Sequence, residues 1–375
     1  MTGRALQQAA GQWLGAVAWV FAILVVLMLL AGADFGAAVQ GFVNGAFGGR
    51  NRGFLMATLS RATLITGMAL AVLLSFRAGL FNIGGEGQLV LGGLAAAVVG
   101  LTMPGPPLVV LAAAFAAGMA AGAAWAVLAG LLQLGAGVPL LIGSLLLNYP
   151  ARYIASYLVG HPLRDVSSGL PQTGLMPRET WLPLFPGTRL DIGILFVLTV
   201  AVAVVIYSHF TVHGYRARMT GLAPDFARAS GLPVNRLALQ TLAMSGAIAG
   251  MVGALAVFGV HHRFSDGMLV QPLYAWVGII AVLLVGMVPA AVPLSGFFFA
   301  AIQTGSAGME RAADVPREIA LILQAAIILF VASRLSLSGA TDRGEATAAD
   351  PAAAADSDSE AVPAAEPQEG QRDGS

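Results

Sequence analysis

The sequence predicts an all-α protein, a polytopic transmembrane helical bundle of about ten spans. Three observations predict it. Of 375 residues, 57% are hydrophobic and 10% are charged, and the mean hydropathy is +0.81. Apolar runs near or above the roughly 20 residues that cross a bilayer recur along the chain. Backbone groups in lipid must be satisfied internally, which such runs achieve as helices.

The spans fall near 13–33, 56–77, 83–102, 107–132, 138–159, 190–210, 237–259, 273–289, 291–308 and 317–334. The first is too long for a signal-peptide core and reads as a retained span, with no cleavable signal expected. The second leads into Phe76-Arg77-Ala78-Gly79-Leu80-Phe81-Asn82-Ile83-Gly84-Gly85-Glu86-Gly87-Gln88-Leu89. Each glycine lowers helix propensity by roughly 1 kcal/mol relative to alanine. A broken helix is expected there, with backbone groups lining a cavity, as at transporter sites. An acid within a span marks function, and Arg77 is the candidate partner of Glu86. The alternative is a helix-start carboxylate that favours the positive end of the helix dipole. No strand precedes these glycines and the G-x-G-x-x-G spacing is missing, so a dinucleotide-binding reading of them is poor.

Gly118 and Gly122, then Gly246, Gly250 and Gly253, stand at spacings that let helices approach closely in lipid. In 138–159, Leu147-Asn148-Tyr149-Pro150-Ala151-Arg152-Tyr153 places an amide and two phenols beside a kinking proline. Asn148 reads as a cavity-wall residue and Tyr153 as an interfacial aromatic. Residues 161–189 carry five prolines and read as an ordered external loop. The eighth and ninth spans, separated only by 289–293, read as a tight hairpin or a re-entrant pair.

The polar segment 211–236 holds Arg216, Arg218, Arg228 and Arg236, the densest arginine cluster of the chain. That bias favours the cytoplasmic side and puts both termini there. Within it a helix of about two turns is expected, with Pro224 first, Asp225 at the positive dipole end and Gly231 as the stop. A helix so short needs a partner to hold it, or else the segment is a solvated loop whose arginines only set topology.

The neutral total charge hides an asymmetry. Residues 342–375 hold nine acids and two arginines, net −7, whereas the remainder holds ten acids and 17 arginines, net +7. The chain thus divides into a membrane domain, 1–341, and an acidic, Ala/Pro-rich tail, 342–375, expected to be disordered and cytoplasmic. All 19 basic residues are arginine. Without lysine the chain cannot form a P-loop or a Schiff base, so any ATP must be hydrolysed by another subunit. Without cysteine there is no disulfide or thiol chemistry. His209 and His213, and His261 and His262, come without a third ligand, so no metal is expected. No catalytic constellation is visible.

Three stretches together are specific: FRAGLFNIGGEGQLVLGG; LLLNYPARYIASYLVGHPLRD with SSGLPQT; and GYRARMTGLAPDFARASGLPVNR followed by SGAIAGMVGALAVFGVHHRF. Over about residues 55–335 the chain resembles the permease subunits of bacterial ABC importers of the nucleoside/simple-sugar (branched-chain amino acid/ribose-type) family, and most of all their nucleoside branch. It departs from the family pattern at 139–144, where an Asn-Glu pair usually precedes LNY, and at 284–289, where a glycine-polar run is usual.

The resemblance implies a multi-pass permease of the bacterial plasma (inner) membrane that is not itself an enzyme and needs no cofactor. ATP would be used by an ABC ATPase subunit. A second homologous permease would complete a heterodimer, an extracytoplasmic binding protein would deliver solute, and no nucleic acid is involved. Gly221, Pro224, Asp225, Arg228, Ala229 and Gly231 match the family's ATPase-coupling segment. Asn82, Glu86 and Gln88 match its signature at a conducting helix, and Asn148 joins them as a solute-pathway residue. With Arg77 and Arg152 assigned to helix ends, a neutral nucleoside is expected first and a neutral sugar second. The competing classes are an ATP-independent secondary transporter or facilitator, and a membrane scaffold.

Overall fold

The computed structural model describes residues 34–49 and 52–313, with isolated positions between 15 and 26 and at 322 and 325. The expected spans 13–33 and 317–334 and the tail 342–375 lie outside the described residues, apart from those isolated positions. The described helices are α1 (Phe35–Phe47), α2 (Gly53–Arg77), α3 (Gly85–Thr102), α4 (Pro107–Ala136), α5 (Leu140–Gly160), α6 (Gly193–Phe210), α7 (Val212–Leu222), α8 (Pro224–Ala229), α9 (Val234–Leu255), α10 (Tyr274–Leu284) and α11 (Val292–Ala313). α9 continues as a π-helical turn over Ala256–His261. Six helical stretches among the described residues are long and apolar enough to cross a membrane: α2, α3, α4, α6, α9 with its π turn, and Pro289–Ala313.

α2 is the axis of the bundle. An unbroken run from Ala62 to Phe76 is buried on every side, as expected of a helix that is apolar all round. α9 and α11 are tied to it by polar side chains. The Ser245 hydroxyl donates to the Ala71 carbonyl at 2.7 Å, and the Thr58 and Thr304 hydroxyls share a hydrogen bond of 2.7 Å. α4 and α6 bury only about a fifth of their apolar windows and lie at the periphery of the described bundle.

The glycine spacings meet one another. Gly122 of α4 lies against Gly246 and Gly250 of α9, where an added Cβ would stand 2.9 Å from the Gly250 Cα. Gly118 faces both Gly92 of α3 and Gly250. Three backbones therefore touch where any side chain would separate them.

Sequence periodicity did not suggest α1. Its 13 residues are too few to span, and its start is set by Asp34, whose Oδ1 accepts from Gly36 N at 2.8 Å and Ala37 N at 3.2 Å. Gly41 and Gly45 of α1 pack on Gly308 of α11. The eighth expected span, 273–289, is helical only over the 11 residues of α10, about 16 Å of rise. α11 then runs back beside α2, so α10 and α11 form an interrupted hairpin.

The bundle has two distinct ends. At one, the 161–189 segment folds over the π turn of α9. Thr173 N donates to the Phe264 carbonyl at 2.8 Å, Met176 N to His262 O at 2.9 Å and Leu182 N to Phe258 O at 3.1 Å. Trp181 stacks on His262 with ring centroids 3.7 Å apart. The loop is thus ordered, as its prolines suggest. At the opposite end stand α7 and α8. The polar segment forms two consecutive helices rather than a loop carrying one: the Thr211 hydroxyl caps α7 by accepting from Gly214 N at 3.0 Å, and Pro224 opens α8.

Candidate functional site

The structure places Asn82, Glu86, Gln88 and Asn148 together at the buried start of α3. All four are at most 3% exposed. The first turns of a helix leave backbone N–H groups without partners, and here asparagines supply them. The Asn82 Oδ1 accepts from Gly84 N at 3.0 Å and from the Gln88 amide at 3.2 Å. The Asn148 Oδ1, from α5, accepts from Gly87 N at 2.8 Å, while its amide donates to Ile83 O at 3.2 Å. Pro150 loosens this turn of α5 by removing a backbone donor, and Trp125 donates to the Leu147 carbonyl at 3.2 Å. Gly87 must be glycine, because an added Cβ would lie 2.9 Å from Trp125 Nε1 and 3.1 Å from Asn148 Oδ1.

Glu86 sits in the first turn of α3, so the helix-start reading holds, but its partner is not Arg77. Its carboxylate forms an ion pair with Arg152 of α5 and accepts from Trp276 Nε1 of α10 at 3.2 Å. Arg77 instead donates to the Met287 carbonyl at 3.2 Å. Arg152 is therefore not at a helix end: it lies in the second half of α5, drawn there because a carboxylate this buried requires a compensating charge. Gln88 Oε1 is buried without a hydrogen-bond partner. Tyr149, Tyr153 and Tyr157 of α5 are exposed, and the Arg152 guanidinium lies 5.7 Å from the Tyr149 ring centroid.

None of these four polar residues lines the wide cavity at the loop-bearing end. That cavity, about 930 Å3, lies at the loop-bearing end between the first turns of α2, residues 184–189, the π turn of α9 and the start of α10. Its polar lining comprises Ser60, Arg61, Thr188, Arg189, His261, His262 and Tyr274. Ligand sites run to roughly 300–1,000 Å3. Sequence reasoning missed Arg61. The signal was available, since a charge within an apolar span is a functional marker whichever its sign. Beside the cavity, burial pushes the Asp191 carboxyl above the usual carboxylate range and the His262 imidazole below its ordinary value. Both shifts favour the neutral forms.

The coupling-segment residues lie together at the other end. Pro224 is the first residue of α8 and Asp225 is in its first turn. Arg228 forms an exposed ion pair with Asp225 at 2.7 Å. Gly231 adopts φ +77°, and the hydrogen bonds Gly231 N to Arg228 O at 3.0 Å and Leu232 N to Ala227 O at 3.0 Å close the helix. Phe226 is 63% exposed, a large apolar side chain beside these charges. Gly221, the penultimate residue of α7, rests on Ala78 and Gly79 at the end of α2.

The chain is similar in sequence to known transport proteins. The chain is 32% identical over 290 residues to a glucose ABC transporter permease protein of Haloferax volcanii, covering 74% of this chain and 75% of that protein. It is 29% identical over 318 residues to a guanosine ABC transporter permease protein of Bacillus subtilis, covering 83% and 90%. It is 26% identical over 279 residues to a nucleoside ABC transporter permease protein of Lactococcus lactis subsp. cremoris, covering 72% and 76%. A model of the family described as branched-chain amino acid transport system, permease component, matches residues 54–332, and the chain belongs to that family of multi-pass membrane permeases.

Proposed function

We propose that this chain is the membrane-spanning permease subunit of an ATP-driven importer and moves a neutral nucleoside by alternating access. The observation that carries the proposal is the direct contact between Gly221, beside the exposed helix α8, and Gly79, in the short connection between α2 and α3. Movement of α7–α8 by an ATPase would be delivered to the end of α2 and on to the start of α3, which Asn82 and Asn148 hold. Coupling of this kind requires that the ATPase contact the two states differently.

In this reading α7 and α8 are cytoplasmic, both termini lie on that side, and the 161–189 loop faces a solute-binding protein. Gly221, Pro224, Asp225, Arg228, Ala229 and Gly231 form the ATPase contact. A membrane body, 1–341, carries transport and the acidic tail, 342–375, is dispensable. A second homologous permease and an ABC ATPase complete the complex. A nucleoside is favoured because the guanosine and nucleoside permeases align over most of the chain. A simple sugar is the second reading, supported by the similarity to the glucose permease. A secondary transporter is disfavoured, because the buried acid Glu86 is committed to Arg152 and Trp276 and is not free to bind a coupling ion.

The test is competition for uptake in a reconstituted complex by a nucleoside, the matching nucleotide and a pentose. The nucleoside should compete best. A nucleotide that competes best sinks the neutral-solute reading, and a pentose that does so replaces the nucleoside with a sugar.

A further inference from the structure

This inference rests on the nucleoside reading. We infer that the 930 Å3 cavity beside α2 holds the solute, and that Arg61 selects nucleosides whose base presents a carbonyl edge over those presenting an amino group.

The cavity wall is rich in donors and poor in acceptors. Arg61 and Arg189 both line it and no carboxylate does. A guanidinium offers five N–H donors and no acceptor. Among the described residues, the hydrogen bond recorded for Arg61 is one, from Nη1 to the neutral Gln303 amide oxygen at 3.2 Å. Most of its donors therefore await a partner. Gln303 in turn donates to the Pro272 carbonyl at 3.5 Å. His261, on the same wall, keeps Nε2 buried without a partner. No carboxylate lines this wall, and a ligand bearing acceptor oxygens supplies what it lacks.

The planar fork of arginine pairs with two adjacent acceptors on a ring edge, as it does with the O6/N7 edge of guanine. Hypoxanthine presents the same pair. Adenine replaces the oxygen by an amino group, which would set donor against donor and leave both unsatisfied. A site built around such a pairing rejects the mismatched analogue strongly. Phosphate oxygens are the other source of acceptors, and the experiment separates them from the base.

The experiment uses the full importer complex in proteoliposomes, with labelled inosine and adenosine, which differ in this group. Inosine uptake should exceed adenosine uptake by about tenfold, the discrimination of one good bidentate pair. In Arg61→Gln and in Arg61→Lys the ratio should fall toward one at equal complex abundance. The binding protein is common to all arms, so a change in ratio belongs to this chain. His261→Phe, outside the Arg61–Gln303 pair, should lower the ratio too and decides the matter if the Arg61 variants fail to assemble. The inference is overturned by a wild-type ratio near one, by a ratio unmoved in the assembled variants, or by inosine monophosphate competing better than inosine. A complex that imports glucose and no nucleoside overturns the nucleoside reading itself.

Discussion

Gly79 and Gly221 meet backbone to backbone: a Cβ on Gly79 would lie 2.8 Å from the Gly221 Cα. Gly79 also adopts φ +71°, which L side chains rarely tolerate. The end of the central helix and the penultimate residue of α7 are thus in contact with no side chain between them. Three residues beyond Gly79 lies Asn82, whose carboxamide holds the start of α3. One chain of contacts therefore runs from α7–α8 to the buried start of α3.

Widening this contact should uncouple the protein. Gly221→Val is expected to lower ATP-dependent uptake by about tenfold or more, equivalent to ~1.4 kcal/mol of lost coupling, while ATP hydrolysis by the assembled complex persists. Parallel loss of assembly and hydrolysis would instead assign the contact to folding alone.

The Glu86–Arg152 pair gives a second prediction. Removing one partner of a buried ion pair costs about 3–5 kcal/mol, and Arg152→Ala should fall at the lower end because its side chain is 39% exposed. Glu86→Gln with Arg152→Met should recover much of that loss. Thermal unfolding of the detergent-purified chain measures both. Equal destabilisation in the single and double variants would show that the pair does not act as a unit.

The third concerns α8. Gly231 lies in the left-handed region, where a non-glycine residue costs roughly 1–2 kcal/mol. Gly231→Val should therefore distort the end of α8, and Asp225→Arg should both break the pair with Arg228 and reverse the charge in its first turn. Both variants should reach the membrane at normal abundance yet lose solute-driven stimulation of ATP hydrolysis. Wild-type stimulation in both would remove α8 from the coupling path.

Helix packing provides the fourth. Gly250 is within backbone contact of Gly118 and Gly122, so Gly250→Leu should separate α4 from α9 and reduce the folded yield severalfold. Fluorescence-detected size exclusion reports it. A normal monodisperse yield would contradict the packing described.

The features legible in the sequence are those carried by local pattern. The apolar length of α2, the glycine spacings of α4 and α9, and Pro224 and Gly231 bounding α8 each follow from residues adjacent in the chain. α1 escaped notice because 13 residues do not fill a membrane-spanning window, although Asp34 is a recognisable cap. Arg61 was averaged away inside an apolar run of 25 residues. That Glu86 pairs with Arg152 rather than Arg77 could not be read from spacing. The partners are 66 positions apart, and helical periodicity says which face a residue occupies without saying which helix lies opposite.

The central claim is that the chain moves a nucleoside only when an ATPase drives it through α7–α8. The most direct measurement purifies the chain from native membranes, reconstitutes what co-elutes and records nucleoside uptake with and without ATP. The account predicts a co-eluting ATPase, uptake that requires ATP, and abolition of that uptake by Asp225→Arg. A chain that elutes without an ATPase and still accumulates nucleoside in the absence of ATP would contradict it.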